Sequence, residues 1–175
     1  MRIIAGKFRG KKLSSPKHDI RPTLDMVKQA IFTRLQFFVP ETRVLDLFAG
    51  SGALGIEAIS RGAESVVFCD NNYKSIALVK ENLNAIGQQA RVLGMDYKSA
   101  LATLKGEQFD LIFVDPPYAS GVYQDALSRI NEFGLLAEDG VIVCEHGEEP
   151  IQSDLFKVDA IKKYGSVYIS YLSHI

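Results

Sequence analysis

Apolar residues in this chain fall in short runs of four to six, each closed by glycine or charge, and between the runs lie stretches with helical spacing. From Arg43 onward the two alternate: VLDLF then ALGIEAISRG, SVVFC then YKSIALVKENLNAIG, ARVLG then a short helix over residues 99–104. FDLIFV follows, then a helix over about residues 123–133, then VIVCE. Strand-length runs that are apolar at nearly every position predict parallel strands covered on both faces, with the helical stretches as the covering crossovers. Two further strands are expected over residues 156–161 and 167–172. The five residues between them leave room only for a hairpin, so at least one of the two runs antiparallel. The expected fold class is α/β, a mostly parallel, doubly wound sheet with helices on both faces.

Ahead of this alternation the pattern changes. RIIAGKFRGKKL mixes β-branched and aromatic residues with glycines and basic residues, which predicts a short twisted hairpin with exposed charges, an appendage to the core. Arg21-Pro22-Thr23 then starts a helix, with Thr23 as its cap. Leu24, Val27, Ile31 and Leu35 recur at helical spacing up to Pro40. The expected division is a basic N-terminal arm over residues 1–22 and one catalytic-size domain over 23–175.

Composition sharpens this outline. The 175 residues, 47% hydrophobic and 23% charged, suit one globular domain with an ample core. No apolar run approaches the roughly 18 residues of a membrane span, and no stretch of signal-peptide length follows the N-terminal basic residues. The expected setting is cytoplasmic, and monomer is the default expectation. Cys69 and Cys144 lie in strand-like runs and read as small buried hydrophobes, while His18, His146 and His174 are scattered. No metal is expected. The net charge of -1 conceals an asymmetry: residues 1–28 hold eight lysines and arginines against Asp19 and Asp25, a net of +6, so the remainder carries -7. A basic arm on an acidic body is the charge arrangement of a polyanion-binding surface.

The first strand ends in Asp46-Leu47-Phe48-Ala49-Gly50-Ser51-Gly52 and leads into a helix. Ligands of open α/β sheets bind beyond the carboxyl ends of the strands. Gly50 and Gly52 permit close backbone approach, and the helix start offers unpaired N–H groups. Gly50 through Gly55 also satisfies G-x-G-x-x-G, and Asp70, 20 residues after Gly50, could accept ribose hydroxyls of either a dinucleotide or S-adenosylmethionine. Asp46 tips the balance: a carboxylate there repels a pyrophosphate and suits the ammonium of a methionine moiety. At the third strand end, Asp96 could accept from an adenine amino group with the Tyr97 amide beside it. A plain solvated strand-end aspartate fits that turn equally well.

Asp115-Pro116-Pro117-Tyr118, after the buried strand FDLIFV, carries the most chemistry. The prolines fix φ and remove two backbone donors, leaving carbonyls that only accept. To methylate an amino group conjugated to a base, its lone pair must be turned from the ring toward the methyl. A carboxylate and a fixed carbonyl, each accepting one N–H, enforce that geometry, and Tyr118 supplies a stacking surface. The proton leaves late, so Asp115 need not be a strong base.

D-x-F-A-G-S-G with D-P-P-Y resembles the class I amino-methyltransferases. RIIAGKFRGKKL, Arg21-Pro22-Thr23 and VLDLFAGSGALGIEAISRGA narrow this to a resemblance, over essentially the whole chain, to the RsmD family of 16S ribosomal RNA guanine-N2 methyltransferases. The resemblance implies a seven-stranded Rossmann-like sheet whose final hairpin includes the reversed strand. It implies S-adenosylmethionine as cofactor and, as substrate, the N2 amino group of one guanine in 16S ribosomal RNA of a largely assembled small subunit. It places Asp46, Phe48, Ala49, Gly50, Ser51 and Gly52 at the methionine end, Asp70 with Asn71 at the ribose, Asp96 with Tyr97 at the adenine, and Asp115, Pro116, Pro117 and Tyr118 at the target base. Arg2, Lys7, Arg9, Lys11, Lys12 and Arg21 would hold RNA. Asp70 departs from the pattern, since related enzymes commonly carry a glutamate there. The competing readings are an adenine-N6 methyltransferase acting on DNA or another RNA, a non-catalytic nucleotide- or RNA-binding protein, and an NAD-dependent oxidoreductase. Recognition of folded RNA by shape suits so small an accessory arm better than readout of DNA base edges.

Overall fold

The computed structural model describes residues 1–16, 22–117, 121–147 and 151–175. Strands β1 (Arg43–Asp46), β2 (Ser65–Asp70), β3 (Arg91–Gly94), β4 (Phe109–Val114), β5 (Leu136–His146), β6 (Lys157–Tyr164) and β7 (Val167–Ser173) form one sheet in the order β3-β2-β1-β4-β5-β7-β6. The first five are parallel, and β7 runs antiparallel to both β5 and β6. This is the seven-stranded, Rossmann-like class I methyltransferase fold, with its reversed strand in the closing hairpin.

Helices α1 (Pro22–Arg34), α2 (Ala53–Ser60), α3 (Tyr73–Ala85), α4 (Tyr97–Thr103) and α5 (Val122–Glu132) complete it. The continuous apolar strands divide by alternation between two cores. Val44, Val66, Phe68, Leu111, Phe113 and Val143 pack with Val27, Ile31 and Phe32 of α1, Ile56 of α2 and Val79 of α3 on one face. Leu45, Val67, Cys69, Ile112, Val114 and Cys144 pack with Leu101 of α4 and Leu127 and Ile130 of α5 on the other. Strand β6 closes one edge with mostly exposed residues, including Lys157, Lys162 and Lys163, as an edge strand that resists pairing with another chain should.

Two expectations at the N-terminal end need correction. The helix starts at Pro22, not after a Thr23 cap; proline suits the first helical position because its missing N–H would be unpaired there anyway. The arm is also no appendage. Its strands meet in a single Arg2 to Lys12 bridge, but Ile3 and Leu13 are buried in the core that α1 and α2 share. Glu57 of α2, fully buried, accepts the amides of Ile4 and Ala5 at 2.9 and 3.0 Å and pairs with Arg61 at 2.9 Å and Lys28 at 3.5 Å. Lys28 also donates to the Arg2 carbonyl, so this lysine neutralises a buried carboxylate and is lost from the arm's free charge. Gly6, at φ +84°, lies so close to α2 that a Cβ there would fall 1.9 Å from the Ser60 carbonyl oxygen. Lys7 and Phe8 donate their amides to the Ser60 carbonyl and hydroxyl.

Candidate active site

The carboxyl ends of β1 through β5 open onto one cleft of about 660 Å³. Phe48, Gly50, Asp70, Asn71, Tyr97, Asp115, Pro116 and Pro117, eight of the residues expected from the sequence, line it together. Tyr118 and Arg21 lie outside the described residues. The cleft is built from turns at strand ends, the only places on a two-sided parallel sheet where backbone and polar side chains are free of helix cover.

The glycine turn joins β1 to α2. Gly50 sits at φ 55° with nothing within 4 Å of the Cβ it lacks, so a side chain there would stand in the cleft, in a backbone conformation that favours glycine. Gly55 serves packing instead: a Cβ would come within 2.3 Å of the Phe68 ring, so its absence lets α2 lie on β2. The expectation of unpaired amides at this helix start is not met at the glycines. Gly50 donates to Asp70 at 2.9 Å, Gly52 to the Ala49 carbonyl and Gly55 to Asp46 at 2.9 Å.

Asp46 is thus under the turn, almost fully buried, and not in the cleft wall. Burial raises its carboxyl to about 7, the Gly55 amide opposing and the Asp70 charge adding to the rise. Ser51 faces away from the cleft, its carbonyl taken by Asn82 and its hydroxyl beside the Met1 sulfur. Ala49 and Gly52 likewise shape the turn without lining the cleft. Asp70 has one oxygen on the Gly50 amide and the other on the Asn72 amide at 2.8 Å, which fixes its carboxylate at the cleft edge.

Asp96 is the N-cap of α4. It accepts the Lys98 and Ser99 amides and the Ser99 hydroxyl, and the Ser99 bonds lead in holding its carboxyl below the usual range. Tyr97 and Phe48 form an aromatic wall with ring centroids 5.4 Å apart, and the Tyr97 hydroxyl donates to Asp125 of α5 at 2.9 Å. Cys69, its thiol pushed up to about 12 by burial, donates to the Met95 carbonyl beneath this wall.

Asp115 follows β4 directly and is partly open to the cleft, with Pro116 buried behind it. Burial first, then the charges of Glu145 and Asp46, raise its carboxyl well above the ordinary range. Glu145 was missed from the sequence, as were Asn72, Ser75, Tyr123 and His146, which also line the cleft. Glu145 lies in an ordinary apolar strand, and its role follows only from the pairing of Val114 with Cys144, which sets the next residues of β4 and β5 side by side. Tyr123 of α5 donates to the Glu145 carbonyl, and buried His146 meets the Ser170 hydroxyl at 2.8 Å and stacks on Tyr168. Arg2, Lys7, Arg9, Lys11 and Lys12 are all exposed, on an arm fixed against α2.

Comparison with known proteins agrees with this geometry. The model of the family described as "Conserved hypothetical protein 95" matches residues 1–173. Bacillus subtilis YlbH, named as a candidate rRNA methyltransferase, is 44% identical over 85% of this chain and 84% of its own. Ribosomal RNA small subunit methyltransferase D of Escherichia coli is 36% identical over 83% of this chain and 74% of its own. The solved structure of E. coli yhhF, described as a candidate methyltransferase, superposes with a TM-score of 0.90 at 32% identity over 99% of this chain and 97% of that one. The chain therefore belongs to the family described as "Conserved hypothetical protein 95", the RsmD family of methyltransferases.

Proposed function

We propose that the protein transfers a methyl group from S-adenosylmethionine to the exocyclic N2 of a guanine in 16S ribosomal RNA, acting as a cytoplasmic monomer on the small ribosomal subunit. The observation that carries this reading is the position of Asp115-Pro116-Pro117, at the end of β4, in one cleft with Gly50, Asp70 and the Phe48–Tyr97 wall. The names of the related proteins support ribosomal RNA as the substrate.

The cleft's residues fit the cofactor. Its volume admits a nucleoside with a methionine moiety. The missing side chain of Gly50 leaves room for it, and the fixed Asp70 carboxylate faces where ribose hydroxyls would sit. Asp46, buried one layer below, adds negative potential for an ammonium group without touching the cleft wall. Bound there, S-adenosylmethionine supplies an electrophilic methyl group.

Asp115 and the Pro116 carbonyl then accept the two N–H bonds of the target amino group, which turns its lone pair away from the purine. Asp115 receives one proton late, as the nitrogen gains positive character. Tyr118 covers the purine face, and Asp96, besides capping α4, accepts from the adenine amino group beside the Tyr97 amide. Arg2, Lys7, Arg9, Lys11, Lys12 and Arg21 hold RNA phosphates.

The reading is tested in cells. Ribosomal RNA from a strain lacking the gene should lack one N2-methylguanosine, restored by the wild-type chain and not by Asp115→Ala. An unchanged N2-methylguanosine content on deletion would overturn it.

A further inference from the structure

Beside Asp70 and Asp115 the cleft holds a third carboxylate, which neither the cofactor nor the methyl-transfer geometry uses. Val114 of β4 pairs with Cys144 of β5 in parallel register, so Asp115 and Glu145 emerge from adjacent strands at the same level, and both line the cleft. The Glu145 backbone is fixed from α5 by the Tyr123 hydroxyl on its carbonyl and from β7 by pairing with Ile169. Among the described residues, no hydrogen bond or ion pair reaches either carboxylate. Burial raises Glu145, and its charge in turn raises Asp115.

Two half-buried acids side by side, with no hydrogen-bond or ion-pair partner among the described residues, are costly to ionise, which points to a substrate that brings several donors at once. One amino group does not account for both, because Asp115 and the Pro116 carbonyl already take its two hydrogens. The purine edges differ here. Beside its N2 amino group guanine carries N1–H, a further donor. Beside its N6 amino group adenine carries N1 as a bare acceptor, which a carboxylate repels.

Resting on the guanine-N2 reading above, we propose that Glu145 is the specificity-determining residue of the cleft: its carboxylate accepts the N1–H of the target guanine and thereby rejects purines with an unprotonated N1. A site that hydrogen-bonds a substrate N–H discriminates strongly against the analogue lacking it, because the buried acceptor is then left unpaired.

2-Aminopurine keeps the N2 amino group but has a bare N1; it also lacks O6, a loss common to both enzymes, so the role of Glu145 is read from the difference between wild type and Glu145→Gln. The target guanine is first mapped by product analysis. Small subunits are then reconstituted with guanine or 2-aminopurine at that nucleotide, and methyl transfer by wild type and Glu145→Gln is compared. The wild type should prefer guanine by about 10- to 100-fold in kcat/KM. Glu145→Gln, whose amide can donate to a bare N1, should lose most of its rate on guanine and bring the two substrates within a few-fold of each other. S-adenosylmethionine affinity, measured in the same preparations, should be unchanged, which excludes misfolding. Glu145→Asp should recover part of the guanine preference.

Wild-type preference persisting in Glu145→Gln, or no wild-type preference at all, would overturn the role of Glu145 while leaving guanine methylation standing. Failure of the wild type to methylate guanine N2 in any subunit would instead overturn the reading on which the role rests.

Discussion

The carboxylate of Glu57, buried in α2, accepts the backbone amide of Ile4 at 2.9 Å, so the N-terminal arm is held by a charge placed inside the domain. The same carboxylate takes the Ala5 amide, Arg61 and Lys28. Removing it leaves two cations and two amides without their acceptor. Glu57→Ala should therefore destabilise the chain by about 3–5 kcal/mol, as loss of one partner of a buried pair does. Urea unfolding measures this, and a change under about 1 kcal/mol would mean the arm is held by its buried Ile3 and Leu13 and its bonds to Ser60 without need of the Glu57 charge.

With the arm fixed, its exposed cations can act as a preformed RNA surface. Replacing Arg2, Lys7, Arg9, Lys11 and Lys12 by glutamine should weaken RNA binding and flatten its salt dependence by about 0.7 to 0.9 for each phosphate no longer neutralised. Cofactor affinity should be unchanged, because none of the five lines the cleft. Titrations at several salt concentrations check this; parallel loss of cofactor affinity would make the arm structural only.

Asp46 ties stability to pH. Burial, the largest cause, together with the Asp70 charge raises its carboxyl to about 7 against the opposing Gly55 bond. Ionising it therefore costs more in the folded chain than in the unfolded one. That cost is absent below the ordinary carboxylate range, grows as pH rises and is complete above about 7. Asp46→Asn, whose amide oxygen can still accept from Gly55, should be more stable than wild type by about 2–4 kcal/mol at about pH 8 and equal to it near about pH 4. It should also bind S-adenosylmethionine more weakly, the negative potential beneath the methionine end having gone. A stability gain independent of pH would show that the Asp46 carboxyl is not raised by its burial.

Asp115 ties activity to pH with the opposite sign. It can take up the departing proton only when ionised, and burial, Glu145 from β5 and Asp46 from β1 all raise it. The kcat/KM profile should fall on the acid side well above the usual carboxylate range. Glu145→Gln removes one of the raising charges and should move that limb to lower pH. Asp115→Asn should lose about 100- to 10,000-fold in kcat. A flat acid side in the wild type would contradict an ionised Asp115 as the acceptor.

Much of this was legible in the chain itself. Strands such as FDLIFV are apolar at successive positions because Leu111 and Phe113 serve one core while Ile112 and Val114 serve the other, and that double burial is a local pattern. The cleft turns were legible because Gly50, Asp70 and Asp115-Pro116-Pro117 each carry a chemical signal at a strand end. What stayed hidden depends on strand order and docking. Glu145 looks like any strand residue until β5 is set beside β4, and Lys28 looks like free charge until Glu57 closes on it. Asp96 and Asp46 were read for their charge, yet each also serves the backbone, as cap of α4 and as partner of Gly55.

The most direct measurement is transfer of labelled methyl from S-adenosylmethionine to small ribosomal subunits, stripped ribosomal RNA and duplex DNA, with nucleoside analysis of each product. The account predicts N2-methylguanosine, formed from the small subunits and absent from the DNA. N6-methyladenine as the product would keep Asp115 in its role but contradict the guanine target, and no transfer to any of the three would contradict the methyltransferase reading itself.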